Sequence, residues 1–137
     1  LLMGGGKAQN NASLGTDSID SPLSSTAGRA DIGLQLFTSR EGGHCVLCHQ
    51  VTSLNTEFQG NIGPDLSHVG ERLTPGQLRL RIADYDALKS GTVMPSYFRT
   101  EGLHQVAPLF EGKTLLSAQD IEDIIAYLST LKGTTNE

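Results

Sequence analysis

The sequence predicts an all-α domain of a few helices whose long loops wrap around a central group, and three observations carry that expectation. Apolar residues recur at helical spacing in separate segments, while little alternates as a strand would. The connections between those segments are long and rich in Gly, Pro and Asn, which a small domain tolerates badly unless something in its middle organises them. Aromatic residues make up only 5% of the chain and Trp is absent, so the side chains alone fill an interior poorly. With 137 residues, 37% of them hydrophobic, the chain suffices for one core and is too short for two.

Residues 1–28 are rich in Gly, Ser, Asn and Thr without helical or strand period, and are read as an extended or mobile polar extension before a domain at 29–137. No signal peptide can be read from the opening "LLMGGGKAQN". Such an extension suits packing along a partner. A first helix is expected at about Arg29 to Ser39, where Ile32, Leu36 and Phe37 share a face with Gly33 nearby, and "REGG" breaks it. A second is expected within "TPGQLRLRIADYDALKS": Thr74 can cap, Pro75 suits the first helical position, and Leu78, Ile82 and Tyr85 fall on one face. The last helix has the clearest signature. Ser117 and Asp120 resemble a capping box, Ile121, Ile124, Ile125, Leu128 and Leu131 form an apolar stripe, and Lys132-Gly133 ends it.

Charge and hydropathy exclude some functions. The net charge of −5 speaks against general affinity for nucleic acid or anionic membrane and suits an electron-transfer or protein partner. No run of about 18 apolar residues is present to span a bilayer.

The chemistry concentrates in "GGHCVLCHQ", residues 42–50, which holds both cysteines. Cys-x-x-Cys alone is shared by thiol redox sites, zinc knuckles and disulfides, but Cys-x-x-Cys-His is the attachment signature for c-type haem. On a helical turn Cys45, Cys48 and His49 leave one face, so two thioether bonds can hold a porphyrin edge while the imidazole reaches the iron. A zinc site would need further ligands from His44, His68, His104 or a carboxylate, none at a usual paired spacing. A thioredoxin-like site would want a strand leading into the motif, where a helix is expected instead. Covalent haem is the leading expectation, with zinc and thiol–disulfide chemistry as alternatives.

A haem needs a second axial ligand or leaves its iron open. Met3 lies in the extension, so Met94, in the loop "GTVMPSYF", is the leading choice, with His68 and His104 as competitors. A ligating histidine usually gives its other ring N–H to an acceptor. The Pro64 carbonyl, at the rigid Gly63-Pro64 turn, is the expected one, unless Gly-Pro is merely a turn. Arg72, Arg79 and Arg81 are candidates to pair with the haem propionates, unless they are simply solvated.

These residues carry a resemblance. "GLQLFTSREGGHCVLCH", "IGPDLSHVG", a Met-Pro loop and "IEDIIAYLSTLK" resemble, in order and spacing, the class I cytochromes c. The resemblance implies that fold around one covalently bound haem c, with the first and last helices crossing at Gly33, Phe37 and Tyr127. "GNIGPDLSHVGER", "LRLRIADYDALKSGTVMPSYFR" and "VAPLFEGKTLLSAQDIEDIIAYLSTLK" are similar to one branch, the SoxX subunits of thiosulfate-oxidising SoxAX complexes. That branch implies a monohaem electron relay beside a SoxA-like cytochrome subunit that houses the catalytic centre. The complex joins thiosulfate to a cysteine of a SoxYZ-like carrier protein, and electrons leave toward a small acceptor cytochrome. The alternative is an independent cytochrome c shuttling between respiratory complexes. Haem attachment of this kind implies the periplasm, outside the reducing cytosol.

Overall fold

The computed structural model describes residues 17–55, 58–98 and 114–133. Among them α1 spans Ala30–Thr38, α2 Val69–Arg72, α3 Pro75–Asp84 and α4 Ala118–Ser129, with 3-10 turns at Cys45–Leu47 and Tyr85–Ala87 and no strand. The all-α expectation holds.

Helix α4 starts where its cap dictates. The Ser117 hydroxyl accepts from the Asp120 N–H and the Asp120 carboxylate accepts from the Ser117 N–H, which satisfies two otherwise orphaned donors. Its stripe of Ile121, Ile124, Ile125 and Leu128 is buried. Helix α1 lies across it at Gly33, where an added Cβ would sit 1.9 Å from the Asp123 carbonyl oxygen, so only a hydrogen fits. Beside that close approach, the wholly buried Phe37 meets Tyr127 edge-on at a centroid distance of 5.5 Å. The helix was expected to reach Lys132 but ends at Ser129. There the Thr130 hydroxyl donates to the Tyr127 carbonyl at 2.6 Å, and the Leu131 carbonyl is taken by the Gly70 N–H at 2.8 Å, which draws α2 against the end of α4.

Helix α3 begins with the expected Thr74 cap, a full capping box with Gln77, and Pro75 in the first turn. It ends earlier than its apolar pattern suggests. The carbonyls of Ile82 and Ala83 accept from the N–H groups of Tyr97 and Phe98 at 3.1 and 3.0 Å, so a distant segment takes the acceptors that a longer helix would use. Tyr85 therefore falls in a 3-10 turn and not on the buried face.

The N-terminal segment departs most from expectation. Residues 17–28, read as part of an extended or mobile extension, and Arg29 after them lie along α3 and α4 of their own chain. The Ile19 N–H donates to the Gly76 carbonyl at 2.9 Å, and the Ile19 carbonyl accepts from Arg79 Nη1 at 2.6 Å. The Leu23 N–H donates to Glu122 Oε2 at 3.0 Å, and the Arg29 N–H to Asp123 Oδ1 at 2.9 Å. Arg79 itself corrects a second expectation. It is buried, with Nε and Nη2 donating to the two Glu122 carboxylate oxygens at 2.7 and 3.0 Å, so its guanidinium is turned toward that carboxylate and the Ile19 carbonyl. Burial works against ionisation of Glu122, but the hydrogen bonds from Arg79 and the Leu23 N–H outweigh it and hold the carboxyl below its ordinary 4.5.

Glu122→Ala leaves the Arg79 charge buried and unpaired and is expected to cost about 3–5 kcal/mol, read by denaturant unfolding at neutral pH. Because the Glu122 pKa is lowered on folding, its contribution is complete above 4.5 and is lost as pH falls through the lower folded value. The wild type should therefore lose more stability in acid than the variant does. Equal acid sensitivity would remove this pair as the cause.

Candidate functional site

Three segments meet at one cavity, and the first is aimed by α1. The Leu36 carbonyl, near the end of that helix, accepts from the Gly43 and His44 N–H groups at 2.9 and 3.3 Å, folding the chain back over Gly42-Gly43. His44 then adopts φ 49°, the one positive φ of a non-glycine among the described residues. Histidine is among the residue types that tolerate this region. The chain enters the 3-10 turn Cys45–Leu47, continued by bonds from the Cys48 and His49 N–H groups to the Cys45 carbonyl at 3.1 and 2.9 Å. The spacing reading asked for a helical turn; the three side chains line the cavity from a 3-10 turn and the residues that follow it.

The second segment, residues 59–67, is stitched around the first. Gly60 N–H donates to the Val46 carbonyl, Gly63 N–H to Cys48 and Leu66 N–H to Gln50, at 2.8–2.9 Å. Gln59 Oε1 accepts from the Val51 N–H and Ser67 Oγ from the Thr52 N–H, both at 2.7 Å. This stitching sets the Pro64 carbonyl oxygen 2.7 Å from His49 Nδ1. A Cβ at Gly63 would lie 2.4 Å from His49 Cε1, so the glycine leaves the space that the imidazole fills. With Nδ1–H donating to Pro64, His49 Nε2 keeps its lone pair for a metal.

The third segment runs from Tyr85 to Phe98. Its Met94 N–H donates to Thr92 Oγ1 at 3.2 Å, and the buried Ser96 hydroxyl donates to Asp84 Oδ1 at 3.1 Å. Together the three segments line a cavity of about 430 Å³, within the range of cofactor sites. Cys45, Cys48, His49, Pro64 and Met94, all singled out from sequence, stand on its wall.

Other expected residues stand elsewhere. Arg79 is committed to Glu122, and Arg72 is exposed with Nη2 donating to the Asp65 carbonyl at 3.3 Å; neither lines the cavity. Arg81 donates to the Asp17 and Gln77 carbonyls. His68 is exposed beside Gly133, away from the cavity wall. Met3 and His104 lie outside the described residues. Sequence reasoning missed Tyr85, Lys89 and Tyr97 as lining residues, and treated His44 only as a zinc ligand. Proximity to Met94 in "LKSGTVMPSYF" was the available signal for Lys89 and Tyr97.

The donor set discriminates among the chemistries. Among the described residues no three His, Cys, Asp or Glu side chains are grouped as a metal cluster. Burial pushes the Cys45 thiol up to about 12, the reverse of the lowered pKa that a thiol redox site needs. Two thiols on one turn, an imidazole held by its far nitrogen and a thioether lining the same cavity fit a covalently attached haem. Burial, and then the neighbouring Cys45 and Cys48, push the Tyr97 phenol up, so it remains a donor, and its hydroxyl reaches the Gly43 carbonyl at 3.0 Å.

Comparison with known proteins points the same way. The family model for cytochrome c matches residues 30–132. The crystal structure of SoxXA from P. pantotrophus contains a chain similar to this one, with a TM-score of 0.77 and 35% identity, covering 85% of this chain and 90% of that chain. No curated protein matches.

Gly63→Ala should force the His49 ring out of its place and break the Nδ1–H bond to Pro64. The expected result is loss of a slowly exchanging ring N–H proton in the NMR spectrum. An unchanged proton would show that the loop yields and not the ring.

Proposed function

The chain belongs to the cytochrome c family, and from that premise we propose that it is the monohaem electron-relay subunit of a SoxAX-type complex. The observation that carries the reading is the single cavity lined by Cys45, Cys48, His49 and Met94, with the His49 imidazole fixed by Pro64. The similarity to a chain of SoxXA supports the branch. Cys45 and Cys48 would hold the haem c by thioether bonds, His49 Nε2 and Met94 Sδ would be its iron ligands, and the Pro64 carbonyl would set the imidazole tautomer. When bound, the haem supplies one-electron chemistry at its iron.

The chain's own groups suit a relay and not a catalytic centre. Both thiols are consumed in attachment, so no cysteine remains to carry sulfur. The Met94 thioether, bound to the iron, would discourage small substrates. The partner is a SoxA-like cytochrome subunit, on which thiosulfate is joined to a cysteine of a SoxYZ-like carrier. That coupling makes one S–S bond, releases the thiol proton and frees two electrons, which leave toward a small acceptor cytochrome. The complex works in the periplasm, where covalent haem attachment takes place. Among the described residues no helix is long and apolar enough to cross a membrane.

Production in a host that matures c-type haem should yield a covalent haem with a near-infrared methionine-to-iron charge-transfer band, co-purifying with a larger haem subunit. A lone monomer that binds no such subunit would instead fit the independent shuttle. A thioether favours reduced iron relative to imidazole, so Met94→His should lower the reduction potential. A rise, or no change, would remove Met94 from the axial position.

A further inference from the structure

Met94 belongs to a loop with no regular structure of its own, and one residue ties that loop to the rest of the site. From Ser96 onward the loop is bound to α3, through the Ser96 hydroxyl on Asp84 and the Tyr97 and Phe98 N–H groups on Ile82 and Ala83. The Tyr97 carbonyl accepts from the Leu115 and Leu116 N–H groups at 2.9 and 3.2 Å, which joins it to the segment leading into α4. Its phenol then reaches the Gly43 carbonyl at 3.0 Å. Gly43 stands two positions before Cys45, and an added Cβ there would lie 3.1 Å from Cys45 Sγ. Tyr97 stands three positions after Met94. Its backbone thus belongs to the wall that carries the thioether, and its side chain to the wall that carries the thiols and the imidazole.

We infer that Tyr97 is a positioning residue that latches the Met94 loop to the turn carrying Cys45, Cys48 and His49, so that the thioether stays on the iron. The inference rests on the haem reading above and deepens it. Tyr97 touches no reacting atom; it acts through the loop. Without the phenol oxygen the loop keeps its bonds to α3 and loses its bond to the other wall. The state in which Met94 has swung off the iron should then become more populated.

External imidazole measures that population, because it takes the sixth position of ferric iron only when Met94 is off. Its apparent dissociation constant rises or falls inversely with the fraction of open protein. Loss of one ordinary hydrogen bond corresponds to a roughly five-fold rise in that fraction. In the purified holoprotein, Tyr97→Phe should therefore bind imidazole about five-fold more tightly than the wild type, with loss of the methionine charge-transfer band as the readout. A merely structural phenol would lower the melting temperature and leave imidazole affinity unchanged, and that result overturns the inference. Should the variant fail to mature, the reduced wild type decides. The Tyr97 hydroxyl proton should exchange slowly and show an NMR contact to Gly43, and rapid exchange without that contact overturns the latch. Failure of the underlying reading looks different. A wild type lacking covalent haem or the methionine band removes Met94 from the iron, and the latch with it.

Discussion

The close crossing of α1 and α4 is the constraint on which the rest hangs. At Gly33 the two backbones approach so nearly that any side chain would collide with the Asp123 carbonyl. That contact fixes where α1 ends, and the Leu36 carbonyl near its end decides where Gly43 and His44 turn back. It also fixes the segment before α4, whose Leu115 and Leu116 N–H groups hold the Tyr97 carbonyl. One wall is thus tied to α1, and the other to α3 and to the segment that leads into α4. Neither wall carries an α-helix at its ligand position, so their placement depends on backbone hydrogen bonds to that frame.

The chemistry of the site follows from how few freedoms remain. His49 has one nitrogen engaged by a carbonyl and its ring pressed against a glycine, so a single tautomer and a single orientation are favoured. The Cys45 thiol sits in a buried environment that suppresses its thiolate, which makes it a poor redox group. A group that must accept and release electrons without gaining or losing ligands benefits from such fixity, because little has to rearrange when its charge changes.

What could be read from the sequence was what is local. Cys45, Cys48 and His49 are adjacent in the chain, and Pro64 follows a glycine in a pattern with few conformational options. Capping residues mark the starts of α3 and α4 for the same reason. The helix ends were less legible, since the carbonyls that would extend α3 are taken by Tyr97 and Phe98, more than a turn of sequence away. Arg79 looked like any arginine on a helix of modest amphipathicity. Its partner Glu122 lies 43 residues on, and no spacing rule links them. The seating of residues 17–28 was illegible for that reason too: their polar composition describes a segment with no core of its own and does not show that its backbone is seated on distant helices.

The seating of residues 17–29 also bears on the order in which the molecule is made. The anchors for Leu23 and Arg29 are Glu122 and Asp123, 99 and 94 residues later, and α1 itself packs on that same helix. A chain emerging from its N-terminus can therefore close neither its first helix nor the segment before it until α4 has been delivered. Throughout that interval Cys45, Cys48 and His49 have been synthesised but not enclosed. The segment ahead of α4, which holds the Tyr97 carbonyl, is also among the last parts of the chain to be made, so the cavity cannot be completed before it is present.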